Sequence, residues 1–342
     1  MTRIRPPGDA RPPADRCALP EAAEPQDLPV LADMIAAHAR IAPHVRRTPV
    51  LVSEALDALS GARLLFKCEN LQEAGAFKVR GACNAVFSLD AAQAARGVAT
   101  HSSGNHALSL SYAAARRGIG CTVVMPRTAP DAKKDAVLRY GGRIVECDPS
   151  TSAREAAFAR VAAETGANFV HPYDDPRVIA GQGTCARELI EEVGTLDAVI
   201  APIGGGGMIS GTCLTLSGIA PGVRIYAAEP EQADDAARSL AAGRIIADDA
   251  PETVADGLRV PLRPRTFAFV RRHVSAILTA SEAEIIAAMR LAWKSLRLVI
   301  EPSSAVALAC ILKNPEIFRD RRVGVIITGG NVDLDRLPWN TR

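Results

Sequence analysis

Short runs of β-branched and other apolar residues alternate with alanine-rich helical stretches along most of this chain, and that alternation restricts the fold more than any single residue does. Cys121-Thr-Val-Val-Met125 precedes a helical stretch around Ala132 to Tyr140, and Arg143-Ile-Val-Glu-Cys147 precedes another around Ala153 to Glu164. Ala198-Val-Ile-Ala201, Arg224-Ile-Tyr-Ala-Ala228 and Val323-Gly-Val-Ile-Ile327 read as further strands, buried on both faces. This order predicts an α/β fold with mostly parallel sheets and helices packed on each side. With 342 residues and 48% apolar content, two three-layer αβα lobes fit the length better than one. Residues 1 to about 28, rich in Pro, Ala and charge without periodicity, read as a disordered leader that carries no chemistry. From Asp27 onward Leu31, Ile35 and Ala36 recur at helical spacing.

The formal charge of +2 arises from 40 basic and 38 acidic residues spread through the sequence, which gives no electrostatic footprint for nucleic acid or a membrane. No run approaches the roughly 18 apolar residues of a spanning helix, and no signal-peptide core follows the early arginines. Eight cysteines, at 17, 68, 83, 121, 147, 185, 213 and 310, lack both the paired spacing of a zinc site and the density of a disulfide scaffold. They read as buried thiols of a cytoplasmic protein whose partner is a small molecule. Only six of the basic residues are lysine, at 67, 78, 133, 134, 294 and 313, so few side chains here can do amine chemistry.

Three segments carry that chemistry. Gly204, Gly205, Gly206 and Gly207 lie between a strand and a segment, Met208 to Leu216, that can open a helix. Backbone that approaches an anion closely, with free N–H groups at a helix start, suits a phosphate; the alternative is a flexible turn. Lys78 sits in Ala74-Gly-Ala-Phe-Lys-Val-Arg-Gly-Ala82, with Phe77 and small residues around it. A lysine is ordinarily a solvated surface charge, but one retained in an arginine-rich chain is explained by a need for a nucleophilic amine, which arginine cannot supply. His101-Ser-Ser-Gly-Asn-His-Ala107 leads into a helix from Leu108, and its hydroxyls, amide and N–H groups suit a carboxylate; a plain helix cap would use the same residues.

Together these segments resemble the threonine and serine dehydratases and the related serine racemases, of the tryptophan-synthase-β-like class of pyridoxal-phosphate enzymes (fold type II). Seven stretches carry the resemblance in the family's order: Gly75–Ala82, Ser102–His106, Thr128–Lys134, Ile179–Thr184, Gly204–Met208, Pro251–Gly257 and Thr328–Asp333. They span roughly residues 30 to 335. The resemblance implies a large cofactor-binding domain from 29–88 and 166–342, and a small domain, 89–165, that closes over the site. It implies that Lys78 holds pyridoxal 5'-phosphate as a Schiff base and takes the substrate's α-proton. Phe77 and Asn105 would meet the ring and its 3-hydroxyl, Gly204 to Gly207 with Met208 the phosphate, and Ser102, Ser103, Gly104, Asn105 and His106 the substrate carboxylate. The family has serine or cysteine at the ring nitrogen where this chain has Thr328. A neutral hydroxyl there does not hold the nitrogen protonated, which suits β-elimination.

The resemblance also implies a homodimer and a Mg2+ or Ca2+ ion on the Glu229 and Asp235 carboxylates and the Ala233 carbonyl, hard oxygens all; an acidic surface loop is the alternative. The expected reaction is elimination from L-threonine or L-serine to a 2-oxo acid and ammonia. Serine racemase and 3-hydroxyaspartate ammonia-lyase stand as alternatives, because Ser103 permits two-base chemistry and Arg154 resembles an entrance arginine that favours an acidic substrate. A non-catalytic phosphate- or nucleotide-binding module is the reading from another class. Lys78 separates it from the enzymes.

Overall fold

The structure, a computed structural model of the chain, describes residues 25–129, 131–247 and 251–339. Its strands are β1 (Val50–Leu51), β2 (Arg63–Cys68), β3 (Val98–His101), β4 (Cys121–Pro126), β5 (Arg143–Cys147), β6 (Asn168–Phe169), β7 (Ala198–Pro202), β8 (Arg224–Pro230), β9 (Val274–Ala280) and β10 (Arg322–Ile327). They form a six-stranded sheet in the order β1-β2-β10-β7-β8-β9 and a four-stranded sheet in the order β5-β4-β3-β6. Every pairing is parallel except that of the short β1 with β2. The strands read from the sequence are all present. The four-stranded sheet runs past the boundary expected at 165, because β6 at 168–169 pairs with β3.

Burial on both faces explains why the central strands show no alternation. In β2, Leu64 and Phe66 enter one core while Leu65 enters the core across the sheet. In β7, Ala198 and Ile200 join Phe66, whereas Val199 and Ala201 join Leu65. A parallel sheet covered by helices needs apolar residues at both parities. No helix among the described residues is long and apolar enough to cross a membrane, and the seven described cysteines are free and buried.

Of the expected leader, residues 1–24 and Cys17 with them lie outside the described residues. The end of that segment is packed: Leu28 lies against the core, and the Asp27 carboxylate accepts from Arg265 Nε at 3.0 Å.

A buried ion network fixes the helix that begins with Lys78. The Arg80 guanidinium, fully buried, forms one two-pronged contact with Glu69 (2.7 and 2.8 Å) and another with Glu188 (2.7 and 2.7 Å). Lys67 on β2 reaches the same Glu188 at 2.7 Å. Two cations and two anions thus neutralise each other without water, tying β2 and helix Lys78–Phe87 to helix Pro176–Val193. Gly181 lets the two helices touch, since a Cβ there would stand 2.6 Å from the Arg80 carbonyl oxygen.

Candidate active site

The carboxyl ends of β3, β7 and β10 open onto one cleft of about 550 Å³, the place where open parallel sheets leave room for a ligand. Every cleft residue expected from the sequence lines it: Phe77, Lys78, Ser102, Ser103, Gly104, Asn105, His106, Arg154, Gly204 to Gly207, Met208 and Thr328. Helices Lys78–Phe87, Asn105–Arg117, Gly207–Ile219, Pro264–His273 and Pro302–Lys313 all present their N-terminal ends there. Unpaired N–H groups and aligned peptide dipoles make such a cleft attractive to anions.

Lys78 is half-buried, and its amine donates to the Pro172 carbonyl at 2.9 Å and lies 5.1 Å from the centre of the Phe77 ring. Burial pulls it down to about 8, against the opposing pull of the Glu301 carboxylate. The amine is therefore neutral far more often near physiological pH than that of an ordinary lysine, as a nucleophile or base requires. Three histidines of the cleft are held neutral. Burial, with nearby cations, pushes His106 and His171 to about 3 and lowers His101. His106 Nε2 contacts the Val170 carbonyl at 3.1 Å, so its ring is engaged in packing.

The four glycines have a packing reason as well as an electrostatic one. Gly206 has φ +84°, the left-handed region, where it caps helix Gly207–Ile219. A Cβ on Gly205 would stand 2.6 Å from the Tyr173 ring. The loop's Cα side is sealed by Tyr173 and Leu262, so its N–H groups are the side left for a ligand.

Glu301 was not read from the sequence. It precedes Pro302 at a helix start, where an acid reads as a simple cap, yet it makes no cap hydrogen bond. It accepts from Asn105 Nδ2 at 2.9 and 3.2 Å, and Asn331 Nδ2 donates to Asn105 Oδ1 at 3.0 Å. Burial raises it to about 7, although Asn105 pulls the other way. Arg263 was missed as well; it lines the cleft near Tyr173, His101 and His171. Two motifs with no assigned role meet here: Lys133 Nζ lies 2.6 Å from Asp256 Oδ2, linking the helix after β4 to the segment Pro251–Gly257.

Residues 41–329 match the family model described as pyridoxal-phosphate dependent enzyme. The chain belongs to that family. It is 72% identical to the β-hydroxyaspartate dehydratase of Paracoccus denitrificans over 92% of this chain and 99% of that protein. It is 50% identical to a serine racemase of Arabidopsis thaliana over 89% and 93%. The crystal structure of serine racemase from Dictyostelium discoideum superposes with a TM-score of 0.86 at 44% identity, covering 90% of this chain and 99% of that one. The fold is thus the tryptophan-synthase-β-like one, and the cofactor is pyridoxal phosphate. The residues present fit it: an amine of lowered basicity, a flat ring at Phe77, a sealed glycine cradle for the phosphate, and the buried Thr328 hydroxyl.

Glu229, Ala233 and Asp235 do not line the cleft. They come together at the end of β8, all buried. The Glu229 carboxylate accepts the N–H groups of Ala236 (3.0 Å) and Ala237 (2.9 Å), and burial raises it to about 9, with the Asp235 charge adding to that rise. Among the described residues no group of three or more His, Cys, Asp or Glu side chains is placed to hold a metal ion; the third oxygen of the expected set is a backbone carbonyl.

Proposed function

We propose that this enzyme eliminates water from a small β-hydroxy amino acid, 3-hydroxyaspartate foremost, giving a 2-oxo acid and ammonia. The observation that carries the reaction type is Lys78, an amine brought down to about 8 in a cleft into which two helix N-termini present unpaired N–H groups. The cofactor, when bound, supplies the electron sink that stabilises charge at Cα. Lys78 would anchor it and would serve as the base for the substrate's α-proton. The N–H groups of Gly204 to Met208 would hold its phosphate, and those of the Ser102–His106 turn the substrate's α-carboxylate. Glu301 and Asn331 hold Asn105 in place, where it would meet the ring. Loss of the β-hydroxyl as water leaves an enamine that hydrolyses to the 2-oxo acid and ammonia.

Threonine and serine, placed first on the sequence, become the second reading. Three anions suit this cleft better than two: beyond the phosphate and α-carboxylate, Arg154 and Arg263 flank His101 and offer cations to a carboxylate on Cβ. The 72% identity to a β-hydroxyaspartate dehydratase supports the same preference. Ser103, at the cleft wall, keeps racemisation as a side reaction. A panel of 3-hydroxyaspartate stereoisomers, serine and threonine, assayed in parallel for 2-oxo acid and for inverted enantiomer, tests these readings. A kcat/KM for 3-hydroxyaspartate no higher than for serine sinks the acidic substrate. Elimination that survives Lys78→Ala sinks the mechanism.

Mg2+ or Ca2+ on Glu229, Asp235 and the Ala233 carbonyl is part of the same proposal, supported by two neighbouring buried carboxylates that repel each other. Chelator-treated holoenzyme should regain several degrees of Tm on adding either ion; no change with both rejects the site. A homodimer is proposed too, and sedimentation at working concentration decides it.

A further inference from the structure

Behind Thr328 lies a second hydroxyl with more partners than protons. Ser304 is fully buried in helix Pro302–Lys313, and its Oγ stands 2.9 Å from Thr328 Oγ1. It accepts the Gly329 N–H at 2.7 Å, and it lies 2.7 Å from the Gly329 carbonyl oxygen. A serine hydroxyl has one proton to donate, and two acceptors compete for it. The Gly329 carbonyl also accepts the Glu301 N–H at 3.1 Å, so it keeps a partner whichever way that proton points.

Two arrangements therefore leave Ser304 and Gly329 fully hydrogen-bonded. In the first, Ser304 donates to Gly329 and Thr328 donates to Ser304, leaving Thr328 with lone pairs toward the cleft. In the second, Ser304 donates to Thr328, and the Thr328 proton turns toward the cleft. Switching between them rotates two hydroxyls and strands no buried polar atom, so the difference between them is small. A neutral pyridine nitrogen is an acceptor and meets the second arrangement; a protonated one is a donor and meets the first.

Resting on the cofactor placement above, with Thr328 at the ring nitrogen, we propose that Ser304 and Thr328 form a two-position hydroxyl pair that accommodates both protonation states of that nitrogen. Ser304 is then a positioning residue for the reaction's electron sink. A hydroxyl at Thr328 alone favours the neutral ring; Ser304 is what lets the protonated ring be held as well, and with it a longer-lived carbanion at Cα that can be reprotonated instead of losing the hydroxyl.

Removing the Ser304 hydroxyl leaves the Thr328 proton no buried protein acceptor in this group and commits it to the ring. The test is the ¹⁵N resonance of ring-labelled cofactor in the holoenzyme, followed from pH 6 to 9. Ser304→Ala is expected to lower the protonated fraction at a given pH about tenfold, the worth of one net hydrogen bond, and to lower the ratio of racemisation to elimination. Ser304→Cys, close in volume and a weak hydrogen-bonding group, should fall between and serves if the alanine variant does not fold. Resonances that titrate as in the wild type in these variants overturn the proposal, even if stability falls, because a merely structural role would not move the nitrogen. Thr328→Val is the control on placement. If it leaves the resonance where it was, Thr328 is not at the ring nitrogen, and the proposal falls together with that assignment.

Discussion

Replacing Arg80 by methionine keeps most of its length and removes the guanidinium from the buried network. Arg80 contributes four close contacts to Glu69 and Glu188 and a fifth, at 3.1 Å, to Thr184 Oγ1. With Arg80 and Lys67 positive and Glu69 and Glu188 negative the group sums to zero; without Arg80 it sums to −1 in a site that excludes water. Breaking a buried pair on one side costs about 3–5 kcal/mol, mostly for the charge left uncompensated. At a urea slope of about 3 kcal/mol per molar, the unfolding midpoint of the holoenzyme should fall by about 1 M or more. The pH dependence is a sharper check. Burial pushes the Glu188 carboxyl up, but Arg80 and Lys67 outweigh it and hold it below its ordinary value. Its stabilisation is thus present above the ordinary glutamate range, near about 4.3, and is lost as pH falls through the lowered folded value. In Arg80→Met the buried Glu188 carboxylate gains its proton at higher pH than in the wild type, so the deficit should be larger at pH 8 than at pH 5. A deficit below about 1 kcal/mol, the worth of a surface pair, or one independent of pH, refutes the reasoning.

Apoenzyme should take up pyridoxal phosphate at a rate that rises with pH and levels off above about 8, because only neutral Lys78 attacks the aldehyde. Glu301→Gln removes the charge that raises Lys78 and should move that inflection to lower pH; stopped-flow absorbance reads both, and an unmoved inflection counts against the coupling. Arg263→Ala should raise KM for 3-hydroxyaspartate about tenfold or more, the worth of a charge-assisted hydrogen bond, with serine turnover little changed; equal losses on both substrates would show that Arg263 does not meet the distal carboxylate. Gly205→Ala puts a methyl 2.6 Å from the Tyr173 ring, an overpacking cost of about 1–3 kcal/mol. Calorimetry should show the lower Tm, and cofactor fluorescence a weaker Kd.

The elements that hold the site were legible because they are local. A buried parallel strand followed by glycines and a helix start is a pattern written within a few residues, and the structure has that order: β7, the glycines, then helix Gly207–Ile219. Strands β2, β6 and β9 were not read from the sequence. In β2, burial on both faces removes the alternation, and Lys67 breaks the apolar run although its charge is fully buried. β6 is two residues long and exists through its pairing with β3, so no local pattern marks it.

The sequence by itself determined the alternating architecture, the lone lysine among small residues and the glycine loop, since each depends on backbone preferences that neighbours in the chain dictate. Only the tertiary structure decided that Glu301 turns away from its helix to hold Asn105, that Lys67, Glu69, Arg80 and Glu188 neutralise one another, and that Ser304 stands behind Thr328. Those outcomes depend on how far each charge or hydroxyl is removed from water and which group lies across the gap, and both are set by segments that are distant in sequence.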